Sequence, residues 1–279
     1  LPAKAEGVEM MKALITGASS GIGRDMARIL SRRGYDLILV ARRRERLEEL
    51  QHQLPSQVKI ICADLGQEQA CFDLYEQTKE ENIDILINNA GFGLFGSFVE
   101  TDLHRELELL DVNVRAVHIL TKLFLRDFLD RDSGYILNVA STAAFLPGPL
   151  LSSYYASKAY VLRLTQAIGE ELRRRGSHVY IGALCPGPVN TEFDQVADVH
   201  FSVRSMSSQR VAMIAIQQMF SRQPVIIPGS TMKAVKVLVR AIPDALLLRI
   251  SYHLQKRKQG PKSNQAERSG APAAPKQEV

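Results

Sequence analysis

Tyr154 and Lys158 lie four positions apart inside Ser153–Arg175, a stretch whose apolar spacing predicts a long helix. Side chains at that separation share one helical face. A free tyrosine titrates near pH ~10, too high for efficient proton transfer at neutrality. A neighbouring ammonium favours the phenolate and brings that value down. The pair is therefore a candidate proton donor and acceptor. Tyr155 sits in the same helix, but its fourth neighbour onward is Ala159, so it lacks a cationic partner and reads as a packed aromatic.

A second constellation stands near the start of the chain, Thr16-Gly17-Ala18-Ser19-Ser20-Gly21-Ile22-Gly23. Its glycines permit tight turning and close approach of the backbone to a pyrophosphate. The helix expected to begin there would offer free N–H groups and the positive end of its dipole to that anion. The spacing is G-x-x-x-G-x-G rather than G-x-G-x-x-G. Next to the second apolar stretch, Asp36–Ala41, stands Arg42-Arg43-Arg44. A site selective for NAD usually places an acid here to hold the ribose 2′-hydroxyl. Alanine followed by Arg42 instead suits a 2′-phosphate, which guanidinium binds through two N–H groups. The cofactor expected is NADP(H), with NAD(H) as the alternative; Arg43 and Arg44 also fit the start of a solvated helix.

The elements that would hold these residues alternate. Lys12–Thr16, Asp36–Ala41, Val58–Cys62 and Ile83–Ile87 are short, largely apolar runs, and helical periodicities separate them. Such runs are expected where helices cover both faces of a sheet, so the pattern predicts an α/β, doubly wound parallel sheet of Rossmann-like form in one domain. Further helices are expected over Glu68–Glu81, Leu103–Leu129, Ser153–Arg175 and Thr231–Ile242, and further strands at Tyr135–Ala140 and His178–Cys185. Val225–Ile227 is too short to assign. The expected organisation is a disordered leader (1–10), the catalytic domain (11–243), an amphipathic, basic helix (244–260) and a disordered tail (261–279).

These motifs, in this order, resemble the short-chain dehydrogenases/reductases over roughly Met11 to Ile242. The resemblance rests on the glycine motif, Asn88-Asn89-Ala90-Gly91, Asn113-Val114, Ser141, Tyr154-x-x-x-Lys158 and Pro186-Gly187-Pro188-Val189-Asn190-Thr191. It implies a catalytic set of Asn113, Ser141, Tyr154 and Lys158. In that set Tyr154 transfers the proton, Lys158 lowers its pKa and binds ribose hydroxyls, and Ser141, preferred over Thr142, holds the substrate oxygen. Asn113 holds a water that links Lys158 to solvent. The implied cofactor contacts are Gly17, Ser19, Ser20, Gly21, Ile22, Gly23 and Arg42 around the phosphates, and Asp64 and Leu65 at the adenine. Asn89, Ala90 and Gly91 lie near the adenosine ribose, and Pro186, Gly187, Val189 and Thr191 near the nicotinamide. The activity implied is hydride transfer between NADP(H) and a carbonyl or secondary alcohol, of ketone-reductase, hydroxysteroid- or oxoacyl-type. A non-catalytic NADP-binding scaffold or sensor is the alternative.

Apolar residues after Thr191, among them Phe193, Phe201 and Met213, suggest a hydrophobic substrate, with Phe92 and Phe145 approaching from the other side. Residues from Lys256 onward hold six bases against two acids, so the tail carries +4 and the remaining 255 residues about +1. A near-neutral body argues against nucleic acid as a partner. The three cysteines, Cys62, Cys71 and Cys185, have no metal-ligand spacing and read as buried thiols of a reducing, cytoplasmic compartment. No metal site is expected. Ala245–Lys258 reads as a terminal helix packed on its own domain or a sister subunit, with peripheral membrane contact the less favoured reading. By resemblance, the expected assembly is a homodimer or homotetramer.

Overall fold

The computed structural model describes residues 11–191, 205–239 and 242–256. Apolar runs form six long parallel strands: β1 (Lys12–Thr16), β2 (Asp36–Ala41), β3 (Val58–Cys62), β4 (Ile83–Asn88), β5 (Tyr135–Val139) and β6 (Tyr180–Leu184). Of three two-residue strands, β7 (Val189–Asn190) and β8 (Met206–Ser207) pair with each other, and β9 (Val225–Ile226) closes the main sheet. The order of that sheet is β3-β2-β1-β4-β5-β6-β9.

Successive strand residues point to opposite faces, and this divides the core in two. Ala13, Ile15, Leu37, Leu39, Ile85 and Ile87 share one apolar cluster, while Leu14, Ile38, Val40 and Leu86 share the other. The first face is covered by α1 (Gly21–Arg32), α2 (Arg44–His52) and α7 (Ser208–Phe220). The second is covered by α3 (Glu68–Glu76), α5 (Val117–Asp130) and α6 (Ser152–Arg175). Phe124 and Phe128 of α5 are each 1 % exposed, and full burial of such a ring contributes about 1.5–3 kcal/mol. The chain reverses direction across the sheet at β1, between β2 and β4, and that reversal opens a crevice at the carboxyl ends of the strands.

Two local features aim residues at the crevice. Between α4 (Leu103–Leu110) and α5 the helix passes through a π turn, Asp111–Ala116, which contains Asn113. An inserted residue of this kind re-aims side chains and is frequent at functional sites. Just before α6, Leu150 holds a left-handed φ of 64°, a conformation that costs an L-residue roughly 1–2 kcal/mol. Two terminal helices follow α7: α8 (Ser230–Leu238) and α9 (Asp244–Lys256).

The differences from the sequence expectations have local causes. The helix expected to reach Glu81 ends at Glu76, and a 3-10 turn, Lys79–Glu81, leads to Asn82 at φ 50°. The unassigned segment at Val225 is the edge strand β9. Cys62 is exposed rather than buried, because β3 is an edge strand with an open outer side; Cys71 and Cys185 are buried. Val211 and Met219, two more of the apolar residues after Thr191, are fully buried in the core against α1, so they line no substrate pocket, and Met213 points outward. The leader 1–10, the tail 261–279, Phe193 and Phe201 lie outside the described residues.

Candidate active site

The crevice is a cavity of roughly 410 Å³ at the carboxyl ends of the strands. It brings together every residue named from the sequence as catalytic or cofactor-binding except Gly23 and Asn113, which stand directly behind its wall. Gly23 serves packing: a Cβ there would lie 2.4 Å from the Asn89 amide nitrogen and 2.5 Å from the Gly17 carbonyl oxygen.

The glycine turn is built for close approach. Gly17 holds φ +64°, and a Cβ on it would lie 2.8 Å from Ala90 Cα. The loop after β4 is stapled onto it. Asn89 Nδ2 donates to the carbonyls of Thr16 and Gly17 at 3.0 and 3.1 Å, and Thr16 Oγ1 accepts from the backbone N–H of Asn89 and Ala90. At the start of α1, Ser20 occupies the capping position without a side-chain cap bond, and the first turn carries no acid. The first N–H groups of a helix need partners. An uncapped, acid-free N-terminus beside a glycine cradle fits a pyrophosphate.

Arg42 and Arg43 both line the cavity at the end of β2, and the Arg43 guanidinium donates to Ser19 Oγ at 3.1 Å. Arg43 thus both opens α2 and reaches the cavity wall. Arg44 serves as a helix start, pairing with Glu48 four residues on at 3.8 Å. Asp64, at the far end of β3, is the one carboxylate among the described lining residues. Its Oδ1 accepts the Gly66 N–H at 3.1 Å. Thr191, at the end of the loop after β6, sits against the glycine turn, with its Cγ2 3.1 Å from where a Gly21 Cβ would be.

At the inner end, the hydroxyls of Ser141 and Tyr154 are hydrogen bonded to each other. Ser141 Oγ also accepts the Ala143 N–H at 3.1 Å, capping a short 3-10 turn (Thr142–Phe145) that follows β5. With that N–H held on one lone pair, the Ser141 proton points to the Tyr154 oxygen, the side from which a bound carbonyl oxygen could also receive it. Lys158, one turn along α6, is 5 % exposed, and its Nζ lies 5.9 Å from the centre of the Tyr154 ring. Nζ donates to the Val139 carbonyl at 3.0 Å. Asn113 is wholly buried. Its amide holds both the N–H and C=O of Phe92 and donates to Ser157 Oγ at 3.1 Å. A Cβ on Gly91 would touch both Asn113 Oδ1, at 2.8 Å, and Lys158 Nζ, at 3.2 Å, so these three residues form one cluster.

Burial raises the Tyr154 phenol above its ordinary value, with the Ser141 bond partly opposing it, so the hydroxyl is protonated at neutral pH. Burial also pushes the Lys158 ammonium down to about 8. Below pH ~8 the folded protein bears the full cost of an interior cation, and that cost is relieved as pH rises from about 8 to the ordinary lysine value. Lys158→Met is expected to stabilise the fold at pH 7 by about 1–2 kcal/mol, after allowance for the lost bond to Val139, and to abolish the gain in stability above pH 8. Urea unfolding at pH 7 and pH 10 measures both. A Met variant less stable than the parent at pH 7 contradicts the account.

Some residues fall elsewhere than the sequence suggested. Phe145 faces an open apolar groove beside the cavity, shared with Leu146, Pro147 and Tyr155, because the short turn capped by Ser141 swings it away. Phe92 does line the cavity. Tyr155 packs its ring on Gly148, as a packed aromatic should, yet it also lines the cavity and its hydroxyl bonds Gln255 of α9. Val112 and Leu151 line the cavity without any sequence signal beyond their being apolar.

Residues 11–200 match the family model described as short chain dehydrogenase. An uncharacterized oxidoreductase of Staphylococcus epidermidis is 32% identical over 188 residues, covering 67% of this chain and 81% of that protein. The 17-beta-hydroxysteroid dehydrogenase type 3 of Mus musculus is 36% identical over 189 residues, covering 64% of this chain and 60% of that longer protein. Among solved structures, a short-chain dehydrogenase from Sphingobium yanoikuyae in complex with NADPH superposes with a TM-score of 0.76 at 29% identity, covering 95% of this chain and 99% of that one.

Proposed function

The chain belongs to the short-chain dehydrogenase family, and on that premise we propose that it is an NADPH-dependent reductase of bulky, apolar ketones. The observation that carries this reading is the coupled pair of hydroxyls. Ser141 and Tyr154 are bonded to each other, with Lys158 beside them, in the same cavity as an uncapped glycine cradle. A bound nicotinamide supplies the hydride that adds to the carbonyl carbon.

The chain's own groups manage the oxygen and the proton. Ser141 Oγ, its lone pair engaged by Ala143, donates a hydrogen bond to the carbonyl oxygen and stabilises the charge that develops there. Tyr154, protonated because it is buried, gives its proton to that oxygen, so carbonyl becomes carbinol. Lys158, fixed by Val139, opposes the charge left on the phenolate. Asn113 pins Phe92 and Ser157, and so holds the loop after β4 against α6; we assign it to positioning, together with the water relay the family resemblance implies.

The cofactor preference rests on Arg42 and Arg43 at the end of β2, with no acid in that slot. The substrate class rests on the apolar side chains Phe92, Leu151 and Tyr155 that line the cavity, and on the printed activity of the hydroxysteroid dehydrogenase relative. A panel containing a rigid polycyclic ketone, a 3-oxoacyl thioester and a small polar carbonyl tests it. The kcat/KM for the polycyclic ketone should exceed that for the small carbonyl by at least about tenfold, the discrimination that two or three buried methylenes supply. Faster turnover of the small polar carbonyl would sink the substrate assignment while leaving the cofactor assignment standing.

A further inference from the structure

We propose that the outward face of α9, with the adjoining end of α8, docks on an anionic lipid surface. The helix is amphipathic in the reverse sense. The residues it buries against the domain are Leu247, Ser251 and Gln255, one narrow line at four-residue spacing. Two of the three are polar, and Ser251 Oγ and Gln255 Oε1 are buried with no partner among the described residues. Most of its large aliphatic side chains are turned outward beside the exposed Arg249, His253 and Lys256: Leu246 is 50% exposed, Leu254 54%, and Leu248, Ile250, Val237 and Leu238 are exposed with them. A soluble surface rarely gathers so many large aliphatic side chains on adjoining helices.

The charge of this region selects the occupant. Residues 229–266 hold eight lysines and arginines, among them Lys233, Lys236, Arg249 and Lys256, against the single acid Asp244. The segment therefore carries +7 in a chain of net +5, and the remaining residues sum to −2. A two-fold contact between identical patches would set Lys233, Lys236, Arg249 and Lys256 against their own copies, which disfavours a second copy of the chain. An anionic bilayer satisfies both halves of the surface, with aliphatic side chains in the acyl boundary and cations at the headgroups. No helix among the described residues is long and apolar enough to cross the membrane, so the contact is peripheral. It also lies beside the cavity: Gln255 is bonded to the Tyr155 hydroxyl, and Leu248 borders the groove that Tyr155 shares with Phe145.

The test is co-sedimentation of the full chain with phosphatidylcholine vesicles, with and without phosphatidylserine, at low and high salt, alongside mass measurement by light scattering. The expected result is at least about tenfold stronger binding to the phosphatidylserine vesicles, weakened by salt. Ile250→Glu with Leu254→Glu should abolish binding without changing the thermal midpoint, since both side chains are already exposed. Should that double variant unfold, Arg249→Gln with Lys256→Gln carries the test, with binding to anionic vesicles expected to fall by about tenfold. Equal binding to neutral vesicles, or no binding to either, overturns the proposal. So does a dimer that dissociates on the Ile250→Glu, Leu254→Glu change, which would make a second copy the occupant.

Discussion

Tyr154→Phe should lower kcat/KM for ketone reduction by about a thousandfold while leaving the dissociation constant of NADPH within about a factor of two. A positioned general acid is worth roughly 10²–10⁴ in rate, and phenylalanine removes only the oxygen that carries the proton. The ring stays in place against Tyr155, its T-shaped neighbour with centroids 6.1 Å apart. Ser141→Ala should cost less in proton transfer but more in structure, because Ser141 Oγ also caps the turn at Ala143. The comparison that decides is turnover against binding. If Tyr154→Phe weakens NADPH binding as much as it slows turnover, the tyrosine acts as a cofactor contact and the assignment of the proton to it fails.

Replacing Arg42 and Arg43 together by alanine should weaken NADPH binding by about a hundredfold or more and leave NADH binding nearly unchanged. A hydrogen bond to a charged group is worth about 1.5–3 kcal/mol, or roughly ten- to a hundredfold in affinity for each arginine that engages a phosphate. Both side chains line the cavity at the end of β2, and the bond from Arg43 to Ser19 pre-sets one of them. Pre-setting lowers the entropy lost on binding. Arg43→Ala alone should therefore cost more than a solvated helix-start arginine would, and the NADPH affinity of the parent should fall with salt. Titration with each cofactor, followed by thermal shift, measures all three. Equal loss of NADH and NADPH affinity would mean that the arginines support the loop rather than read the 2′-phosphate.

What was legible in the sequence is what short-range physics dictates. The strands were visible because each is a mostly apolar run, and that pattern calls for cover on both faces, as the two clusters containing Ala13 and Leu14 display. The glycine turn and the Tyr154–Lys158 pair were visible because backbone freedom and helical spacing are local properties. Features that depend on tertiary placement were not legible. Arg43 is indistinguishable from Arg44 in a run of three arginines, and only the fold sets one beside Ser19 and the other beside Glu48. Phe145 lines the adjoining groove because the turn capped by Ser141 redirects the chain within four residues, which the sequence does not reveal. The apolar residues of α7 match a pocket and a core equally well in composition, and contact with α1 decides for the core. The reversed polarity of α9 was hidden for the same reason: a helix wheel shows an apolar stripe but not which stripe faces the protein.

The most direct test follows the hydrogen itself. The parent, Tyr154→Phe and Ser141→Ala proteins are each incubated with a polycyclic ketone and NADPH carrying deuterium at the transferable position, and the product is examined by mass spectrometry and NMR. The parent protein should place one deuterium on the carbinol carbon, in a single configuration, and Tyr154→Phe should form the same product about a thousandfold more slowly. Binding of NADPH without any transfer, or transfer at the parental rate by Tyr154→Phe, would contradict the proposed reaction.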